Sequence, residues 1–218
     1  MTRRVTIRAV AESKGYILLI SFKQSSDKDN SFSDYYDYLD LKEFKDMDNN
    51  TFNELAGKRF SCRKFNRRPV SSSKLAKILE AARLAPTAKN IQPLHVWALT
   101  SQDALARIRP IHTMFEAPVV IMVGYKPDEA WVRDCDGQNS GMTDAAIAGT
   151  HIMLAAADLE LGSTWVGSFD PARVRAAFPE TEGYVVTALF AIGHPAAGAA
   201  PSPRHSIRKS MEEFATEL

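Results

Sequence analysis

The sequence predicts an α+β fold in which helices wrap a small mixed or antiparallel sheet. Three observations carry that expectation. Residues 118–124 (Pro-Val-Val-Ile-Met-Val-Gly) form an unbroken apolar run, the pattern of a strand buried on both faces. Residues 94–100 and 184–193 read as two further strands, and the segments around them repeat with a helical rather than a twofold period. Finally, a stretch from about Thr143 to Leu161 is crowded with Ala145, Ala146, Ala148, Gly149, Ala155, Ala156 and Ala157. So many small side chains suit a central helix approached closely by neighbours on two sides.

The elements follow in order from local signals. Thr51-x-x-Glu54 is a capping-box pattern that opens a short helix, with Gly57 as its stop. Pro69-Val70-Ser71 leads into a helix whose Leu75, Ile78, Leu79 and Ala82 share one apolar face, and Pro86 ends it. After the strand at 94–100, Ser101 caps a helix through Arg107. The strand at 118–124 precedes the long helix, for which Gly162 is the expected C-terminal stop. A short strand falls around Trp165-Val166-Gly167. Asp170-Pro171, an N-cap followed by proline at the first helical position, then opens a helix to Phe178. The strand at 184–193 and a Pro/Ala/Gly tail carrying His205, Arg208 and Lys209 complete the order.

Bulk properties narrow the function. The 218 residues, 45% apolar, suffice for one full core and an appendage, and the net charge of +1 gives no global field for nucleic acid or an anionic membrane. The two cysteines, Cys62 and Cys135, show no metal spacing and no disulfide framework, which fits a reducing cytoplasm. No apolar run approaches a membrane span; Arg3-Arg4 ahead of residues 16–20 only loosely imitates a secretion signal, with Lys14 intruding and no cleavage site following. Composition shifts near residue 50. Residues 24–50 are acidic, rich in Ser, Asp and Asn, and dotted with Tyr35, Tyr36 and Tyr38, the composition of a linker or loosely held extension. The expected organisation is therefore an extension over residues 1–46 and a folded domain over residues 47–218.

Chemistry concentrates in two segments. In residues 58–65 (Lys-Arg-Phe-Ser-Cys-Arg-Lys-Phe), Arg59 and Arg63 bracket Ser61, a donor set suited to a phosphate monoester. A basic run on its own is usually a solvated face. The second segment, residues 85–93 (Ala-Pro-Thr-Ala-Lys-Asn-Ile-Gln-Pro), is rich in amide and hydroxyl groups between two prolines. Together they suggest a nucleotide-like ligand with a charged tail and a hydrogen-bonding head. The five histidines include no i, i+4 metal pair, neither cysteine has a partner that would make it a nucleophile, and no Ser/His/Asp set is apparent.

These motifs, in this order, resemble the nitroreductase family of flavin mononucleotide (FMN) oxidoreductases. The resemblance continues through Ala130-Trp131-x-Arg133, Asp136-Gly137, Trp165-Val166-Gly167-x-Phe169-Asp170 and His205-x-x-Arg208-Lys209, and so covers roughly residues 50–218. Met47 stands just before the point where family members usually begin, which offers an upstream start assignment as one account of residues 1–46. The resemblance implies a nitroreductase-like fold and an intertwined homodimer with two flavins at the subunit interface. It implies that Arg59, Phe60, Ser61 and Arg63 surround the FMN phosphate and ribityl chain, with Arg208 returning to the same phosphate. Pro86, Thr87 and Asn90 would reach the flavin from the partner subunit; Gln92 would serve the turn, and Lys89 is left outside the set. The backbone of Trp165, Val166 and Gly167 would lie beside flavin N5, where a glycine permits close approach and a donor N–H stabilises developing charge. Trp131 and Arg133 border a possible substrate opening, though ordinary packing suffices for a rim tryptophan, and Asp144 needs no role beyond a helix first turn.

The implied activity is hydride transfer from NAD(P)H, through the flavin, to an electron-poor small-molecule acceptor of nitroaromatic or quinone type by a ping-pong cycle. A flavin carries this chemistry itself, so no side chain is nominated as acid or base. There is no Gly-x-Gly-x-x-Gly after a strand, which makes a Rossmann-type dinucleotide site unexpected. The alternatives are a specialised enzyme of the same fold (dehalogenating or flavin-fragmenting), a non-catalytic flavin-binding module, and a nucleic-acid contact built on Arg3, Arg4, Arg8 and residues 58–68. The near-neutral charge and lack of a binding motif weigh against the last.

Overall fold

The structure is a computed structural model that describes residues 5–12, 15–22 and 51–218. The linker expected over residues 24–50 lies outside the described residues. Two units divide the chain, Met1–Glu54 and Leu55–Leu218. In the first, β1 (Val5–Glu12) and β2 (Gly15–Phe22) form an antiparallel hairpin in the register Val5 opposite Phe22 through Glu12 opposite Gly15.

The second unit begins inside α1 (Thr51–Lys58), which runs through Gly57 rather than stopping there. Next comes α2 (Ser72–Arg83), capped by the Ser71 hydroxyl accepting from the Lys74 amide. Its Ile78 and Ala82 are buried, with Leu75 and Leu79 packed beside them, as the period requires. The strand β3 (Leu94–Leu99) leads to α3 (Gln102–Ile108), whose N-terminal amide at Ala104 is taken by the Ser101 hydroxyl. Then come β4 (Val119–Tyr125), the long α4 (Gly141–Asp158), β5 (Gly162–Val166), α5 (Pro171–Ala177), β6 (Val185–Gly193) and a short α6 (Met211–Phe214). Asp170 caps α5 by accepting from both Ala172 and Arg173 amides.

The strands of this unit pair in the order β3-β4-β6-β5, with every ladder antiparallel. A single parallel bridge, Ser61 with Ser163, adds the chain before α2 to the outer side of β5. Central β4 is buried on both faces, since Val119 through Val123 are each at most 4% exposed. Two apolar clusters result. One joins α2, α4 and one face of the sheet through Ile78, Ile121, Ile152 and Phe190; the other joins α3, α5 and the opposite face through Leu105, Ile108, Met122, Val174 and Leu189. Burying a core of this kind, at roughly 25 cal/mol per Å² of apolar area, is the main favourable contribution to the fold.

The end of α4 departs from the expectation. The helix stops at Asp158, and Gly162 opens β5 instead of terminating the helix. Glu160 takes the left-handed position (φ 58°), the Leu161 amide reaches back to Ala156 O (2.8 Å), and the Glu160 amide to Ala157 O (3.0 Å). That is a Schellman motif with a glutamate where glycine is usual. Gly162 is required for another reason: a Cβ there would sit 2.7 Å from both Cβ and Sγ of Cys62. The small face of α4 behaves as expected at Gly149, where a Cβ would strike the rings of Trp165 (2.6 Å) and Phe190 (2.7 Å). Among the described residues no helix is long and apolar enough to cross a membrane.

Candidate functional site

The segment carrying Arg59 through Arg63 is fixed to the sheet edge by backbone bonds. The Cys62 amide donates to Ser163 O (3.0 Å), and the Thr164 hydroxyl donates to Cys62 O. Farther along, the Asn66 amide donates to His194 O (2.9 Å) and the Ala196 amide to Lys64 O (3.0 Å). Alternation along this extended stretch turns Cys62 inward, fully buried, and leaves Arg63 exposed with Arg59, Phe60 and Ser61 partly exposed. Arg59 and Phe60 line an open pocket of about 210 Å³ with Leu55, Leu161, Gly162 and Ser163. Burial pushes the Cys62 thiol above its usual range, so it is held as an inert thiol.

Among the described residues Arg59, Arg63 and Arg208 make no ion pair, whereas Arg83, Arg107, Arg109 and Arg133 hold Glu80, Glu180, Glu116 and Asp136 respectively. Arg63 leans on Ser61 O (3.4 Å) and Arg208 on Ile207 O (2.7 Å). The tail does return to this region, because His205 Nε2 lies 3.1 Å from Gly57 O, two residues from Arg59. Among the described residues no hydrogen bond joins Arg208 to residues 59–63.

The second motif is a hydrogen-bonded loop beside the first turn of α4. The Asn90 amide donates to Thr87 O (2.9 Å) and the Gln92 amide to Thr87 Oγ1 (3.0 Å). Gln92 Nε2 approaches Asn90 Oδ1 (3.2 Å), so Gln92 does serve the turn and the Asn90 amide nitrogen is left as a donor for a ligand. Lys89, Asn90 and Gln92 all have positive φ (50°, 56° and 59°), a costly conformation for residues with side chains. Asp144 holds the loop in place. It is 2% exposed; one carboxylate oxygen accepts from the Ala88 amide (3.0 Å) and the other from the Ser140 hydroxyl (2.9 Å). Sequence reasoning missed this role. An acid in a helix first turn was visible, but nothing local ties it to a loop 56 residues away.

Along α4 the two motifs are far apart. The loop meets the helix at Asp144, and the Arg59 pocket meets it at Ala157, about 20 Å farther along at 1.5 Å per residue. Between them Trp165 packs against Gly149 and, edge to face, against Phe190 (centroids 4.9 Å). The Val166 side chain is buried and Gly167 is exposed. Arg133 is bound up within its own loop by Asp136 and Gln138, and the Lys89 ammonium sits 5.5 Å over the Trp131 ring.

A family model described as the nitroreductase family matches residues 56–113 and 111–194. This chain is a member of the nitroreductase family. Its relatives include a protein of Archaeoglobus fulgidus carrying the provisional name NADH dehydrogenase/NAD(P)H nitroreductase, 30% identical over 63% of this chain and 81% of that protein. A Thermus thermophilus protein named NADH dehydrogenase is 27% identical over 70% of this chain and 90% of that protein. Among solved structures, a nitroreductase family protein of Clostridium difficile superposes with a TM-score of 0.71 at 31% identity, covering 75% of this chain and 95% of the other. A provisionally named nitroreductase of Exiguobacterium sibiricum, solved in complex with FMN, shares the fold at 20% identity, with a TM-score of 0.67 over 77% of this chain and 97% of the other. The nitroreductase-like fold read from the sequence is therefore the fold observed.

Proposed function

We propose that this protein is an FMN-dependent NAD(P)H oxidoreductase of the cytoplasm that reduces electron-poor acceptors of nitroaromatic or quinone type. The observation that carries the reading is the pair of guanidinium groups at Arg59 and Arg63, without carboxylate ion-pair partners among the described residues, on the segment of the Ser61 hydroxyl, with the tail that carries Arg208 returning nearby through His205. A dianionic phosphate matches that donor set, and charge-assisted bonds from arginine are among the stronger kinds. Bound FMN would supply the redox chemistry itself, taking hydride from NAD(P)H at N5 and passing electrons to the acceptor at the same face in a ping-pong cycle.

The chain's own part is to hold and orient. Arg59, Ser61, Arg63 and Arg208 grip the phosphate and ribityl chain, and Phe60 walls the pocket. Thr87 Oγ1 accepts from the Gln92 amide and keeps its hydroxyl proton to donate, so the loop offers the Thr87 hydroxyl, the Asn90 amide nitrogen and the Pro86 edge to the polar rim of the ring. The backbone of Trp165, Val166 and Gly167 would lie beside the ring, and a Cβ at Gly167 would meet only Trp165 Nε1, at 3.8 Å. Because the loop and the arginine segment occupy opposite ends of α4, we assign the loop of each site to a second copy of the chain, giving a homodimer with two shared sites. The two cysteines are free, in keeping with a reducing compartment, and neither takes part.

The test is an absorbance scan of the purified protein, with NADPH and then NADH added without oxygen. Flavin bands that bleach on addition are expected. A colourless protein that takes up no FMN from excess would end the proposal, and a yellow protein that neither nucleotide bleaches would reduce it to a passive flavin binder.

A further inference from the structure

We propose that Lys89, poised on Trp131, forms an anion-selecting lip that favours a flat substrate bearing a negatively charged substituent. The inference rests on the reading of the 86–90 loop as a wall of the active site. Three cations among the described residues sit over aromatic rings. Arg107 over Phe178 also pairs with Glu180, and Lys126 over Tyr184 also pairs with Glu129 at 2.6 Å. Lys89 over Trp131 pairs with no carboxylate among the described residues. The acid held against its loop, Asp144, has both oxygens engaged by Ala88 and Ser140. Lys89 therefore presents a charge that the protein leaves uncompensated.

It does so from a fixed platform. Its backbone is left-handed (φ 50°) within a loop tied at Thr87, Ala88 and Gln92, and the Trp131 segment is closed by the Ser140 amide donating to Trp131 O (2.8 Å). The ring face steadies the ammonium without neutralising it, so less side-chain freedom is lost when an anion arrives. A carboxylate on a ring lying against the loop would meet this ammonium; so would the 2′-phosphate that distinguishes NADPH from NADH. The shared chemistry is an anionic substituent on the second substrate.

Calorimetric titration of the FMN-loaded wild type, Lys89→Gln and Lys89→Arg proteins tests this. The ligands are 4-nitrobenzoate against its neutral isostere 4-nitrobenzamide, and NADP+ against NAD+. For a partly solvated ion pair, Lys89→Gln is expected to lower the anion preference about threefold to fivefold. Lys89→Arg should keep it, flavin content should be equal in all three proteins, and added salt should shrink the effect. A fall in the nitrobenzoate ratio assigns the anion to the acceptor, and a fall in the NADP+ ratio assigns it to the donor. If Lys89→Gln moves neither ratio, the proposal is overturned. Because the readout is binding, it separates from the activity: discrimination without NAD(P)H oxidation would sink the oxidoreductase reading and keep the lip.

Discussion

Arg59 and Arg208 differ in how the fold prepares them. Arg59 stands on a segment bonded to β5 and walls a pocket, while Arg208 lies on an exposed tail and spends one nitrogen on the carbonyl of Ile207. A hydrogen bond to a charged group is worth about 1.5–3 kcal/mol. Arg59→Ala is accordingly expected to weaken FMN binding about tenfold to a hundredfold, and Arg208→Ala by less, since its ordering cost is paid on binding. Flavin fluorescence titration checks both; two unchanged affinities would defeat the phosphate assignment. Asp144 is a different kind of residue, acting through the loop. Asp144→Ala strands the Ala88 amide and the Ser140 hydroxyl in a partly buried place, at about 1 kcal/mol each. Thermal denaturation should show a clear loss of stability, and flavin affinity should fall with it. Asp144→Asn should recover part of both, because its oxygen can still accept from Ala88.

At the scale of elements, the end of α4 offers the sharpest test. Glu160 occupies a left-handed position that costs a residue with a Cβ roughly 1–2 kcal/mol. Glu160→Gly should stabilise the protein by about 1 kcal/mol once glycine's greater unfolded-state freedom is counted, a rise of about 2–4 °C in Tm for a chain of this size. An unchanged or lower Tm would show that the glutamate side chain contributes something its geometry does not reveal. The same corner marks the boundary of what sequence could tell. Helix starts at Ser71, Ser101 and Asp170 were legible because a cap is a local bond between a side chain and an amide two or three residues on. The buried strand at 119–125 was legible from its uninterrupted apolar run. Gly162 was misread as a helix stop because its real constraint, the Cβ and Sγ of Cys62, is a hundred residues away in the chain. The two candidate segments stand out in composition and order. Their attachment, through Ser163, Thr164 and Asp144, does not, because each bond joins segments distant in sequence.

For the whole molecule, the separation of the two motifs along α4 turns into a statement about assembly. If one chain built a complete site, each defective chain would carry its own single defect into its own site, and mixing two defective proteins could not restore function. If each site takes Arg59 from one copy and Asn90 from the other, the outcome reverses. A heterodimer of Arg59→Ala with a Thr87→Ala/Asn90→Ala chain would then contain one site carrying every defect and one site carrying none. After unfolding and refolding of an equal mixture, half the dimers should be mixed by chance, so about a quarter of all sites should regain full flavin affinity, as the two-fold symmetry of a closed dimer requires. Flavin retained per chain after gel filtration, together with NADPH oxidation, reads the result. Recovery in the mixture above the mean of the two parents would support shared sites. Dimers that form and exchange yet recover nothing would place both motifs of each site in one chain, and would leave the 20 Å of α4 between them to be spanned by the ligand itself.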